Sequence, residues 1–285
     1  MREDQPSRTA ESVAIRRALH QIWDSPRVLD DPVAVKIIRH DAASEISGAR
    51  PSNSAFSVFL RAFVVARSRY AEDQLAQCVA HGTRQNVILG AGLDTFAYRN
   101  PYSDLTVFEV DHPATQAWKQ RRIRESGIMV PATLVSVPLD FEQGSLREAL
   151  ARAGFKSKEP AFFSWLGVTQ YLERETALAT LKEIITACSH NAVVFDYGVP
   201  RQSLSLTSRI AFDALARRVA AAGEPFVNFF DPAELERELR GMGYLHLDDL
   251  GAEEINFRYF GDRADTLRVG GSGRLMCARG EWAQP

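Results

Sequence analysis

Asn86-Val87-Ile88-Leu89-Gly90-Ala91-Gly92-Leu93-Asp94-Thr95 reads as a short apolar strand that breaks into a glycine turn. Four consecutive residues suited to a buried strand are followed by two glycines that let the backbone turn tightly and approach a ligand. A second apolar run, Leu105-Thr106-Val107-Phe108, lies sixteen residues on, and a helical stretch from Pro113 to Glu125 follows it. The order repeats: a strand at Thr133 to Val137, a helix near Ser145 to Ala153, a strand at Ala161 to Trp165, a helix at Arg174 to Cys188 and a strand at Ala192 to Tyr197. Strands alternating with helices of this length predict a mostly parallel, twisted α/β sheet with helices on both faces.

Upstream, Ile15, Leu19, Ile22 and Trp23 recur at helical spacing behind Thr9, a candidate N-cap. Asp31-Pro32 precedes a second short helix, and His40 to Ser54 reads as a loop. A long helix begins at Phe56, Phe59, Leu60 and Phe63 and stops at Gly82, a residue suited to the left-handed cap. Downstream, the Ala/Arg-rich helix Ser203 to Ala222 interrupts the alternation, Asp231-Pro232 caps another to about Arg240, and Tyr244 to Leu247 and Leu275 to Ala278 supply closing strands. The expectation is one domain over 1–285: a helical N-terminal cap at 1–84, a ligand-binding sheet at 85–200, a lid insertion at 201–230 and closing strands at 231–285. Cap and lid are expected to cover the ligand end of the sheet.

Composition narrows the classes. The chain is 45% hydrophobic and 25% charged with a formal net charge of −2, so disorder is excluded and no overall field favours nucleic acid or an anionic membrane. No apolar stretch approaches the roughly 20 residues a spanning helix needs, and Met1 to Thr9 lacks the apolar core of a secretory signal. A cytoplasmic location with a small-molecule partner is expected; the oligomeric state is left open. Cys78, Cys188 and Cys277 are odd in number and widely spaced, which predicts buried thiols and no metal site.

Open parallel sheets bind ligands at the carboxyl ends of their strands. The first strand ends in Gly90-Ala91-Gly92, the second in Phe108-Glu109-Val110-Asp111, and the third in Pro138-Leu139-Asp140-Phe141. Asp111, nineteen residues beyond Gly92, is placed to accept from both hydroxyls of a ribose, and Asp140 beside Phe141 suits an adenine edge. The third glycine of the dinucleotide fingerprint is absent, with Thr95 in its place, and no GK[ST] follows. Together these describe an adenosine pocket without a pyrophosphate grip, which S-adenosylmethionine fits. A nicotinamide-dependent oxidoreductase would use the same GxG and Asp111.

Val87 to Thr95 followed by Tyr98-Arg99, and Phe108-Glu109-Val110-Asp111-His112-Pro113, resemble two signature blocks of the leucine carboxyl methyltransferase family. The resemblance extends from Thr9–Leu19 through Asp31-Pro32 to Tyr171-Leu172. It implies a Rossmann-like class I methyltransferase fold, S-adenosylmethionine as methyl donor, and O-methylation, often of a carboxylate, by relatives that include enzymes of polyketide acids and hence of secondary metabolism. By this match Gly90 and Gly92 lie under the methionine part of the cofactor, Asp111 binds ribose, Asp140 and Phe141 contact adenine, and Arg67 binds the cofactor carboxylate, with Arg69 as the alternative; Ala91, Asp94 and Leu166 complete the expected cofactor-binding set. The family commonly carries a glutamate before its Tyr-Leu pair, where this chain has Leu166. That departure also admits a cofactor-binding protein without activity.

In-line methyl transfer needs alignment and exclusion of water more than a triad or metal. A carboxylate acceptor, with a pKa of about 4, needs no base, whereas a phenol near 10 benefits from one. The candidate catalytic groups are His112, Tyr171 and Arg258. For the substrate, Arg258 and Tyr259 are candidate clamps for an acid, and Trp165 and Tyr171 candidate walls facing the sulfonium.

Overall fold

The computed structural model describes residues 8–38, 55–141, 143–221 and 223–281. The loop expected at His40 to Ser54 lies outside them. The N-terminal part comprises α1 (Arg8–Trp23), α2 (Ala34–Ile37) and the 26-residue α3 (Ala55–Ala80). Thr9 sits inside the first turn of α1 and not at its cap. Gly82, at φ 95°, carries the left-handed turn after α3.

The sheet contains β1 (Gln85–Leu89), β2 (Thr106–Asp111), β3 (Leu134–Pro138), β4 (Ala161–Trp165), β5 (Asn191–Gly198), β6 (His246–Leu250) and β7 (Gly273–Arg279). Their order is β3-β2-β1-β4-β5-β7-β6, and β7 is the one antiparallel member, wedged between β5 and β6. The strand expected at Tyr244 begins two residues later because Tyr244 is a core side chain, its hydroxyl donating to the Leu181 carbonyl. The helices α4 (Pro113–Glu125), α5 (Leu146–Arg152), α6 (Arg174–Ala187), α7 (Leu206–Ala221), α8 (Pro232–Met242) and α9 (Ala252–Phe260) complete the architecture.

Alternation along the buried strands divides the interior into two layers. Val87, Leu89, Phe163 and Trp165 face the layer that includes α5, α6 and α8, while Ile88 and Phe162 face α3 and α9. A third, smaller cluster joins α1 and α2 to Leu93 of the glycine turn and Ile123 of α4. Parallel register brings the chain after β1, β2, β3, β4 and β5 to one edge of the sheet. Among the described residues no helix is long and apolar enough to cross a membrane.

Candidate active site

A continuous cavity of about 1080 Å³ opens at that edge, bounded by the strand ends, α1, α3, α7 and the segment after α7. This exceeds the roughly 300–1,000 Å³ that holds a single small ligand. Gly90 and Gly92 line it with φ of 65° and 45°, a region other residues rarely adopt. A Cβ on Gly90 would also lie 2.4 Å from a methyl of Val168.

Asp111 stands at the end of β2 and is almost wholly buried. One carboxylate oxygen accepts from the Gly92 N–H at 2.5 Å and the other from the His112 N–H at 2.7 Å. Burial pushes its pKa up, and these two backbone donors oppose the rise. Both oxygens keep lone pairs in a group that lines the cavity, the acceptor pair that two ribose hydroxyls need. Asp140, Phe141 and Leu139 line the same wall.

Arg67, not Arg69, reaches the cavity. Its guanidinium pairs with Asp196 at 3.0 Å, whereas Arg69 is turned outward onto Asp73 at 2.7 Å. Asp196, at the end of β5, also accepts from the Gly167 N–H. Gly167, at φ 76°, brings its backbone against the Arg67 guanidinium so closely that a Cβ would fall 2.6 Å from a guanidinium nitrogen. Leu166 lines the cavity beside them, so the acid in this corner comes from β5 and not from β4. Asp196 was not singled out in the sequence, although its position at the end of a predicted strand is the same signal that marks Asp111 and Asp140.

Asp94 lines the cavity edge with its oxygens engaged: one accepts from the Phe96 N–H at 2.8 Å and the other pairs with Arg17 at 3.3 Å. Arg17 also binds the Leu93 carbonyl, so α1 clasps the glycine turn directly. Thr95, where a dinucleotide site has its third glycine, is fully buried and donates to Asp31 at 2.6 Å. After it comes a three-residue 3₁₀ turn, Phe96–Tyr98, so β1 is not followed by the helix N-terminus on which a pyrophosphate rests. The residues present thus fit S-adenosylmethionine better than a dinucleotide.

His112 lies at the cavity and caps α4, its Nδ1 accepting from the Ala114 N–H at 3.3 Å. With Nδ1 an acceptor, Nε2 carries the proton of the neutral ring, and His112 is a donor rather than a base. Tyr171 lines the cavity, its ring 5.4 Å from Phe226, and burial pushes its phenol up to about 12, so it stays protonated at neutral pH.

The other substrate candidates are corrected by the structure. Trp165 is fully buried in the core layer, its ring 6.5 Å from Phe195. Arg258 and Tyr259 lie on α9, which packs against α3 one to two turns beyond Arg67 and away from the cavity. The Tyr259 hydroxyl donates to Asp73 at 3.0 Å, and the Arg258 guanidinium lies 5.4 Å from the Tyr70 ring centre. The cavity is lined as well by residues not singled out as candidates: Arg16 on α1, Arg218 on α7, Phe59 and Phe63 on α3, and Phe226 and Phe229 after α7.

The leucine carboxyl methyltransferase family model matches residues 10–185. A protein of Bacillus subtilis that bears the name S-adenosyl-L-methionine-dependent methyltransferase YktD is 31% identical over 94% of this chain and 95% of its own. A relative from Saccharopolyspora erythraea, also named for S-adenosyl-L-methionine-dependent methyl transfer, is 31% identical over 95% of this chain and 94% of its own. Among solved structures, a DUF574 family protein of Streptomyces avermitilis superposes with a TM-score of 0.57 at 15% identity, covering 95% of this chain and 97% of that one. A protein of Thermobifida fusca described as a methyltransferase gives 0.57 at 14% identity, covering 95% and 94%. The glycine turn, Asp111 and this full-length kinship lead to one conclusion: the chain belongs to the leucine carboxyl methyltransferase family and is a methyltransferase of class I fold that uses S-adenosylmethionine.

Proposed function

We propose that the chain catalyses O-methyl transfer to a small-molecule carboxylate, with a hydroxyl as the second acceptor class. The observation that carries this reading is the single cavity in which the strand-end residues Gly90, Asp111 and Asp140 are continuous with an apolar compartment walled by phenylalanines. When bound, S-adenosylmethionine supplies an electrophilic methyl group. Asp111 is assigned to the ribose, Asp140 and Phe141 to adenine, and Arg67 with Asp196 to the charged amino-acid end.

The carboxylate is favoured over the phenol because neither candidate base is available. His112 presents a donor and Tyr171 a protonated hydroxyl. An acid ionised at neutral pH needs only to be aligned and kept from water. Residues 201–230 serve as the lid that does so, with Phe212 and Phe226 of that segment lining the compartment. Within the same proposal the reaction belongs to secondary metabolism in the cytoplasm, with a small acid as partner and neither nucleic acid nor membrane required.

Methyl-labelled S-adenosylmethionine, offered with a panel of aliphatic acids, aryl acids and phenols, tests the reading. Label is expected in base-labile methyl esters. Label in none of the panel by a protein that binds S-adenosylhomocysteine favours the non-catalytic reading. Heat on titration with a nicotinamide dinucleotide and none with S-adenosylhomocysteine would restore the oxidoreductase reading.

A further inference from the structure

The cavity holds two kinds of arginine. Arg17 and Arg67 are matched by carboxylates, Arg17 by Asp31 and Asp94 and Arg67 by Asp196. Arg16 and Arg218 are not. The Arg16 guanidinium hydrogen-bonds only within its own helix, to the Ser12 carbonyl at 2.7 Å and to the Ser12 hydroxyl. Among the described residues neither Arg16 nor Arg218 forms an ion pair with a carboxylate, and Glu224, which lines the same cavity, accepts from the Thr9 N–H. Burial and the neighbouring Arg218 depress the pKa of Arg16 to about 10, which leaves it fully charged at neutral pH. Two cations that line one cavity, one of them half-buried, favour an anion between them.

Another part of the wall of this cavity is aromatic. The rings of Phe212, Phe226 and Phe229 lie 5.4 to 6.3 Å apart. Phe59 and Phe63 line the same cavity, packed against Gly270 and Gly273, where a Cβ would come 3.2 Å and 2.6 Å from the two rings.

We propose that Arg16 of α1 and Arg218 of α7 clamp the carboxylate of the acceptor, and that the acceptor is an amphiphilic acid whose hydrophobic body rests among these phenylalanines. This rests on the methyltransferase reading and names its substrate class. Two guanidiniums give a carboxylate charge-assisted hydrogen bonds that a neutral ester cannot form with both oxygens. Methylation removes the charge, so the clamp holds substrate and releases product. Because the two arginines stand on different elements, the acid also draws α7 towards α1, where the Glu224 carboxylate already accepts from the Thr9 N–H at 3.2 Å.

Titration calorimetry on the protein preloaded with S-adenosylhomocysteine tests the clamp without relying on turnover. The probes are biphenyl-4-carboxylate and decanoate, each against its methyl ester. The expected result is that at least one acid binds about tenfold or more tightly than its ester. Arg16→Met and Arg218→Met each abolish that preference, and Arg16→Lys restores part of it. Equal binding within both pairs, binding of none of the four, or a preference that survives both methionine substitutions overturns the clamp. Arg218 is exposed, so its variant keeps the test decisive if Arg16→Met does not fold. S-adenosylhomocysteine binding by the unsubstituted protein is recorded first. Its failure sinks the cofactor reading, whereas intact cofactor binding with indifference to the acids sinks only the clamp.

Discussion

The guanidinium of Arg67 and the carboxylate of Asp196 lie 3.0 Å apart, both almost wholly buried, one on α3 and the other at the end of β5. The pair fastens the long N-terminal helix to the ligand edge of the sheet, and the second Asp196 oxygen fixes the backbone at Gly167. Removing one member of a buried pair strands the other charge and costs about 3–5 kcal/mol. Asp196→Ala is therefore expected to lower the unfolding free energy by an amount in that range and to weaken S-adenosylhomocysteine binding. Chemical denaturation and calorimetry measure both. Unchanged cofactor affinity in a destabilised but folded variant would make the pair purely structural.

Asp111 offers a prediction with a sign in pH. Burial raises its pKa above the ordinary aspartate value of about 3.9, so its protonation begins at higher pH than for an exposed carboxylate. Only the ionised form accepts from both ribose hydroxyls. S-adenosylhomocysteine affinity is therefore highest near neutrality and falls as pH drops through this raised value, before ordinary surface carboxylates titrate. Asp111→Ala is expected to weaken binding by about 1.5–3 kcal/mol for each hydrogen bond lost and to flatten this acid limb. Calorimetry across the pH range checks both; a variant that keeps the acid limb would assign it to another group.

The positions of Gly90, Asp111 and Asp140 were legible because they follow from two local signals: short apolar runs that make strands, and the rule that parallel strands deliver their carboxyl ends to one edge. Trp165 was misjudged by the parity of a strand. It shares its face with Phe163 and points into the core, while Leu166, one residue on, reaches the cavity. Arg258 and Tyr259 misled because their segment is a helix, α9, whose contacts are with α3 and not with the strand ends. Arg16 and Arg218 carried no sequence signal. They stand on α1 and α7, far apart in the chain, and only the fold brings both to one cavity, where among the described residues neither forms an ion pair although Glu224 lines the same wall.

Arg17 couples the site to the stability of the whole protein. Its side chain is buried, pairs with Asp94 at 3.3 Å and Asp31 at 3.8 Å, and binds the Leu93 carbonyl. Burial alone would raise the pKa of Asp94; Arg17, then Lys119 and the Phe96 N–H, more than offset this and hold it below the ordinary value. A carboxyl depressed in the folded state stabilises the protein above its unfolded pKa, and that stability is lost as pH falls through the folded one. Arg17→Met removes the leading offset, so the Asp94 pKa rises towards its unfolded value and its contribution to stability at neutral pH shrinks, leaving less reserve against acid. The variant is expected to be less stable at neutral pH by about 3–5 kcal/mol, as for any broken buried pair, and to unfold in acid at a higher pH midpoint. It should also bind S-adenosylhomocysteine more weakly, because α1 no longer clasps the glycine turn. Circular dichroism across an acid titration, with and without S-adenosylhomocysteine, reads all three. An acid midpoint that does not move would show that Asp94 is held down by Lys119 and the backbone, and that α1 docks through its apolar cluster with Leu93 and Ile123 instead.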